Sequence, residues 1–307
     1  MVLEAQNLFD TPHPSLQKEW VDSVFNSLTP DQKIGQLFMV AAYSNKNESY
    51  YQDLEALIKN FHVGGLVFFQ GGPVIQAHLT NRLQRLAKVP LMIAMDGEWG
   101  LGMRLDSTIS FPRQMTLGAI QDNSLITQMG KEIASQQIRL GVHVNFAPVI
   151  DINSNPGNPV IGDRSFGEDK INVSLKGSAY MRGLQRGGII ATAKHFPGHG
   201  DTGKDSHKTL PVIKHSKSRL EEMELYPFRQ LIDGGLMGMM IAHIHVPALD
   251  KKSKVATSIS QSVVTGLLKE EMNFTGLVFS DALNMKGVSQ YNKPGELDLM
   301  ALQAGND

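Results

Sequence analysis

The chain has 307 residues, 41% hydrophobic and 19% charged, with a formal net charge of -1 and no cysteine. Such a length supports one large or two small globular domains. The balanced charge argues against a basic face for nucleic acid or an anionic membrane surface, and the lack of Cys excludes disulfides, thiolate metal sites and cysteine nucleophiles.

Residues 1–29 are polar and contain prolines, and they read as an N-terminal arm. The opening Met-Val-Leu-Glu-Ala-Gln lacks the basic region and apolar core of a signal peptide. From residue 30 onward, short apolar runs alternate with amphipathic stretches. The runs cover residues 35–42, 63–69, 90–96, 142–150, 188–194, 236–243 and 275–281. Apolar runs flanked by glycine are the pattern of strands buried on both faces in a parallel sheet. Between them, residues 50–60, 74–88, 124–140, 170–185, 216–231 and 260–272 carry apolar positions at helical spacing, as do residues 295–304 near the end. No apolar run approaches the roughly 18 residues of a membrane helix, so no membrane insertion is expected.

Regular strand–helix alternation predicts an α/β fold, specifically a (β/α)8 TIM-type barrel, with an open sheet of the same elements as the alternative. Only seven strands are found. The eighth would be expected to begin at Gly305-Asn-Asp307, where the chain stops. The expectation is therefore a barrel over residues 30–307 that is cut short at its C-terminus and belongs to a longer protein.

Functional residues of such barrels sit at the carboxyl ends of the strands. Those ends carry Asp96, Asp151, Lys194 with His195, His243 with His245, and Asp281. Asp281 follows the apolar Gly276-Leu-Val-Phe-Ser280 and can serve as a nucleophile or stabilise a cation. Capping the next helix is its structural alternative. Asp205 and His207 are two apart in a loop. If they meet, the carboxylate fixes the imidazole tautomer and raises its pKa, giving a general acid and base; otherwise they are solvated loop residues. A metal site is the rival account, built from His243-Ile-His245 with His195, His199, Asp201 and Asp205.

Several long motifs occur in order. They are Asp96-Gly-Glu-Trp-Gly100, Asn145-Phe-Ala-Pro-Val-Ile-Asp-Ile-Asn153, Asn155-Pro and Arg164-Ser-Phe-Gly167. Lys194-His-Phe-Pro-Gly-His-Gly-Asp-Thr202 follows, then Asp205-Ser-His207, Leu210-Pro211, and Leu267-Leu-Lys-Glu-Glu-Met-Asn-Phe-Thr-Gly-Leu-Val-Phe-Ser-Asp281. Together they resemble glycoside hydrolase family 3, and within it the β-N-acetylglucosaminidase (β-hexosaminidase) branch, from about residue 30 to the end.

The resemblance implies a retaining hydrolase that removes terminal β-linked N-acetylglucosamine from glycans or peptidoglycan fragments. Asp281 would be the nucleophile and His207, paired with Asp205, the acid and base. Asp96, Arg164, Lys194 and His195 would bind the sugar, while Asp151 and His243 would support them and His199 would shape the turn. The implied partner is a carbohydrate, with no metal or organic cofactor and no nucleic acid. Relatives append further domains after the barrel, and the N-terminal arm resembles that of exported bacterial relatives. A glycoside phosphorylase using the same residues, a non-catalytic sugar-binding module and a metal-dependent amidohydrolase are the competing functions.

Overall fold

The structure is a computed structural model describing residues 14–206, 209–291, 293 and 295–307. It divides into two compact units, the first formed by Met1–Phe111, Lys131–Asn145 and Leu184–Ile190, the second by Pro112–Gly130, Phe146–Gly183 and Ala191–Asp307.

The first unit carries β1 (Met39–Ala42), β2 (Gly65–Phe68), β3 (Met92–Met95) and β4 (Val144–Asn145), all parallel and paired in chain order. Met39 pairs with Gly65, Gly65 with Met92, and Ala94 with Val144. The helix Glu48–Phe61 starts where Asn47 accepts the Tyr50 N–H at 3.1 Å, and it ends where His62 turns left-handed at φ 53°. It lays Leu54 and Ile58 on a core of Leu66, Phe68, Leu79, Leu83, Ile93 and Met95. Each such buried side chain contributes about 1.5–3 kcal/mol.

The second unit carries β5 (Ile190–Phe196, its first residue counted with the other unit), β6 (Gly238–Ile241) and β7 (Leu277–Ser280), again parallel. Thr192 pairs with Gly238 and Gly238 with Leu277, and the β5–β6 register shifts between Ala193 and Phe196. Every residue of β6 is buried, as continuous apolar runs in parallel sheets should be. A satellite core of Ala256, Ile259, Val288, Leu297 and Ala301 packs the chain after β7.

Residues 14–27 of the N-terminal segment form the helix Pro14–Ser27. Three expectations need correction. The strand expected from residue 35 begins only at Met39, because Thr29 builds a capping box that makes Pro30–Gly35 helical. The run 142–150 yields a two-residue strand and one isolated bridge, Val149 to Lys194. The helix expected over 216–231 is two, Lys217–Glu222 and Tyr226–Asp233. Pro227 explains the break, since it lacks an N–H and is tolerated only in the first turn of the second helix.

Among the described residues there are seven strands and no eighth. At the C-terminal residue the Asp307 N–H donates to Val278 O of β7 at 2.9 Å, while its carboxylate accepts the Val278 N–H at 2.9 Å. No described helix is long and apolar enough to cross a membrane.

Candidate active site

In the second unit, the nucleophile candidate extends the sheet by one rung. The Asp281 N–H donates to Ile241 O of β6 at 2.9 Å, which fixes the backbone at the strand's carboxyl end. Its side chain accepts the Ala282 N–H at 2.8 Å and remains partly exposed. Burial alone would raise its pKa. The charges of His243, His195 and Lys194, with the Ala282 N–H, outweigh that and hold it below the ordinary carboxylate value. The capping alternative fails, because the next helix is Lys286–Ser289 and its N-cap is Met285.

Asp151 is a hub. Fully buried, it accepts the His195 N–H on both oxygens at 3.2 Å and the His199 N–H at 2.6 Å, and it lies 2.7 Å from His195 Nδ1. Burial pushes its carboxyl up, but the attraction of His195 and His199 prevails and the pKa is lowered. With its Nδ1 proton shared with Asp151, His195 turns its other ring nitrogen, Nε2, toward Arg164 Nη2 at 3.5 Å. Arg164 itself ends a short 3-10 turn and donates to Val160 O at 3.1 Å. Lys194, 2% exposed, emerges from β5 beside these groups. Thus Lys194 and His195 act electrostatically on Asp281, and His195 also meets Arg164 and the buried carboxylate of Asp151.

The loop after β5 is tied down on several sides. The Asn158 amide donates to His199 O at 2.8 Å and to Gly200 O at 2.9 Å. Gly200 passes so close to the chain that an added Cβ would lie 1.7 Å from Ile152 O, so no other residue fits. Asp201 Oδ2 meets His215 Nε2 at 2.5 Å. His199, expected only to shape the turn, is 2% exposed with both ring nitrogens engaged: Thr202 Oγ1 at 2.8 Å and Ser206 Oγ at 3.0 Å. Asp205 is half-buried and its carbonyl accepts the Thr209 N–H at 3.0 Å. His207, on which the acid and base assignment falls, lies outside the described residues.

The histidines proposed as metal ligands are dispersed to other partners. His243 is buried, with Nδ1 at 2.7 Å from Ser258 Oγ and Nε2 at 3.0 Å from Ala282 O, so it braces the backbone next to Asp281. His245 faces Val255 O at 3.0 Å. Among the described residues no three His, Asp or Glu side chains are grouped to hold a metal ion.

In the first unit, Asp96 follows β3 and pairs with Arg104, Nη2 to Oδ2 at 2.5 Å. The guanidinium also lies 4.8 Å from the centre of the Phe69 ring, which stacks on Tyr43 at 5.5 Å. Arg104 is a polar-site residue that the sequence reading missed, since nothing in its glycine-rich surroundings is periodic. Its one signal was a cation close downstream of a strand-end carboxylate.

Residues 29–307 match the model of the glycosyl hydrolase family 3 N-terminal domain. The chain belongs to glycoside hydrolase family 3. It is 37% identical over 279 residues to beta-hexosaminidase A of Pseudoalteromonas piscicida, covering 83% of this chain and 46% of that protein. The family 3 beta-N-acetylglucosaminidase structure from Paenibacillus sp. str. FPU-7 superposes with a TM-score of 0.86 at 40% identity, covering 91% of this chain and 54% of that one. The beta-glucoside phosphorylase BglX superposes with a TM-score of 0.90 at 28% identity, covering 96% of this chain and 54% of that one. The chain thus spans about half the length of these relatives. Their likeness sets the fold class as the α/β barrel type anticipated from strand–helix alternation.

Proposed function

We propose that this family 3 chain carries the catalytic residues of a retaining β-N-acetylglucosaminidase acting on glucosamine-containing glycans, peptidoglycan fragments among them. The observation that carries the reading is Asp281. It is a carboxylate at the end of β7 whose charge is favoured by His243, His195 and Lys194. An ionised, oriented oxygen at neutral pH is what attack on an anomeric carbon requires. Kinship with proteins named beta-hexosaminidase and beta-N-acetylglucosaminidase supports the choice of sugar.

In the first step Asp281 attacks the anomeric carbon while His207, its imidazolium oriented by Asp205, gives its proton to the departing oxygen. This forms a glycosyl–carboxylate ester with inverted configuration. In the second, His207 takes a proton from water, which attacks the same carbon and releases Asp281. Two inversions give net retention, and the two groups must lie about 5–5.5 Å apart around the bond. Arg164, Lys194 and His195 donate hydrogen bonds to sugar hydroxyls, and Asp96 accepts them. No metal or organic cofactor enters these steps.

His207→Ala is expected to lower kcat/KM, which reports the glycosylation step, by about 10²–10⁴-fold on an unactivated phenyl glycoside, the usual worth of a general acid. A dinitrophenyl glycoside, whose leaving group needs little protonation, should change far less. Equal losses on the two substrates would remove the acid role. Arg104→Gln removes the charge-assisted hydrogen bond that Arg104 gives Asp96, worth about 1.5–3 kcal/mol. Steady-state kinetics should then give a KM raised by about tenfold with kcat little changed; a fall in kcat at constant KM would contradict a binding role for the pair.

Phosphorolysis is the second reading, favoured by the likeness to beta-glucoside phosphorylase BglX. A neutral imidazole base repels an incoming phosphate less than a carboxylate would. Product analysis with and without phosphate separates the two: free N-acetylglucosamine in both cases supports hydrolysis, and a sugar 1-phosphate overturns it.

A further inference from the structure

We propose that His199 is a positioning residue for proton transfer, and that Ser206 is the point at which it grips the loop bearing Asp205 and His207. The inference rests on the acid and base reading of that pair. Ser206 stands between the two in the chain and is 2% exposed. Its hydroxyl lies 3.0 Å from His199 Nε2, and its carbonyl accepts the Gly287 N–H at 3.1 Å. Gly287 comes six residues after the nucleophile and can bear no side chain there, since a Cβ would lie 2.4 Å from Ser206 O. One residue is therefore clamped between a buried imidazole and the segment that follows Asp281.

The imidazole is itself fixed. Thr202 Oγ1 holds Nδ1 at 2.8 Å, and the backbone N–H of His199 donates to Asp151 Oδ1 at 2.6 Å. Asp151 is also the acceptor that orients His195. A continuous run of hydrogen bonds thus leads from the sugar-binding candidate His195 through Asp151 and His199 to Ser206. Adjacent Cα atoms are about 3.8 Å apart, so a Ser206 pinned at both its hydroxyl and its carbonyl anchors the chain one residue from Asp205. Burial, with His195 nearby, pushes the His199 pKa down to about 4. The ring therefore stays neutral near pH 7 and does not compete for the proton that His207 moves.

The test uses the whole chain with phenyl and dinitrophenyl β-N-acetylglucosaminides, comparing Ser206→Ala, Ser206→Thr, His199→Ala and His207→Ala. Loss of the clamp misplaces the acid without removing it. For Ser206→Ala the expected result is a kcat/KM on the phenyl glycoside, which reports the glycosylation step alone, reduced by about 10- to 100-fold. The kcat/KM of the dinitrophenyl substrate should change by less than about threefold. Ser206→Thr, which keeps the hydroxyl, should restore most of the loss. Ser206→Ala needs no large repacking, so it decides the matter even where His199→Ala fails to fold. Wild-type kinetics in Ser206→Ala, equal losses of kcat/KM on both substrates or a change in KM alone each overturn the positioning role. If His207→Ala itself shows no dependence on the leaving group, the acid and base reading falls and takes this inference with it. Leaving-group dependence in His207→Ala but not in Ser206→Ala overturns the clamp alone.

Discussion

Asp281→Asn is expected to lower kcat by on the order of 10⁴-fold or more while sugar binding changes only a few-fold, because removal of a nucleophile affects the transition state and spares ground-state contacts. The amide is nearly isosteric and keeps an oxygen to accept the Ala282 N–H, now at 2.8 Å, so the strand end should hold its shape. What disappears is the anion that His243, His195 and Lys194 stabilise. Steady-state kinetics with an aryl N-acetylglucosaminide, and calorimetric binding of free N-acetylglucosamine, separate the two effects. Equal loss of binding and turnover would make Asp281 a binding residue instead. The depressed pKa adds a condition on pH. The nucleophile stays ionised until the pH falls below about 4, the ordinary Asp value, so any loss of kcat/KM beginning above that belongs to another group.

Asp151→Asn should have the largest effect on stability, about 3 kcal/mol, because a buried charge network is broken at its centre. The carboxylate accepts two backbone N–H groups and faces His195 Nδ1, all within 3.2 Å and shielded from water. An amide places an NH2 group among donors and leaves at least one of them unsatisfied. Because the Asp151 pKa is depressed in the folded state, its stabilisation is complete above the unfolded value of about 3.9 and is lost as pH falls through the folded value. Thermal unfolding should therefore show a gap between wild type and variant that is constant around neutrality and closes below about pH 4. A gap that widened toward low pH would contradict this. The variant should also lose kcat/KM, since the His195 tautomer is no longer dictated.

The sequence reading and the structure agree where local chemistry is strong. Runs such as 236–243 and 275–281 contain β6 and β7, and Asp281 emerges at the expected end of its strand. Agreement fails where a longer-range force decides. Pro227 splits a helix whose apolar spacing continues across it. Asp151 was read as a supporting residue and is one, but which residues it supports was hidden, because His195 and His199 lie 44 and 48 residues away, beyond any periodic pattern. His199 looked like turn chemistry, since glycines flank it and its contacts with Thr202 and Ser206 depend on how the loop folds back.

The order of residues by itself determined the family, the alternation of strand and helix, and the chemical types available at the strand ends. These follow from composition and short-range spacing, which act between neighbours in the chain. Only the tertiary structure decided how those groups are electrostatically paired. It made Asp151 the acceptor that orients His195, gave Asp96 its Arg104, and set His243 to brace the residue after Asp281. Charge and hydrogen bonding operate over a few ångströms of space whatever the separation in sequence, so folding had to bring those partners together before their roles could be read.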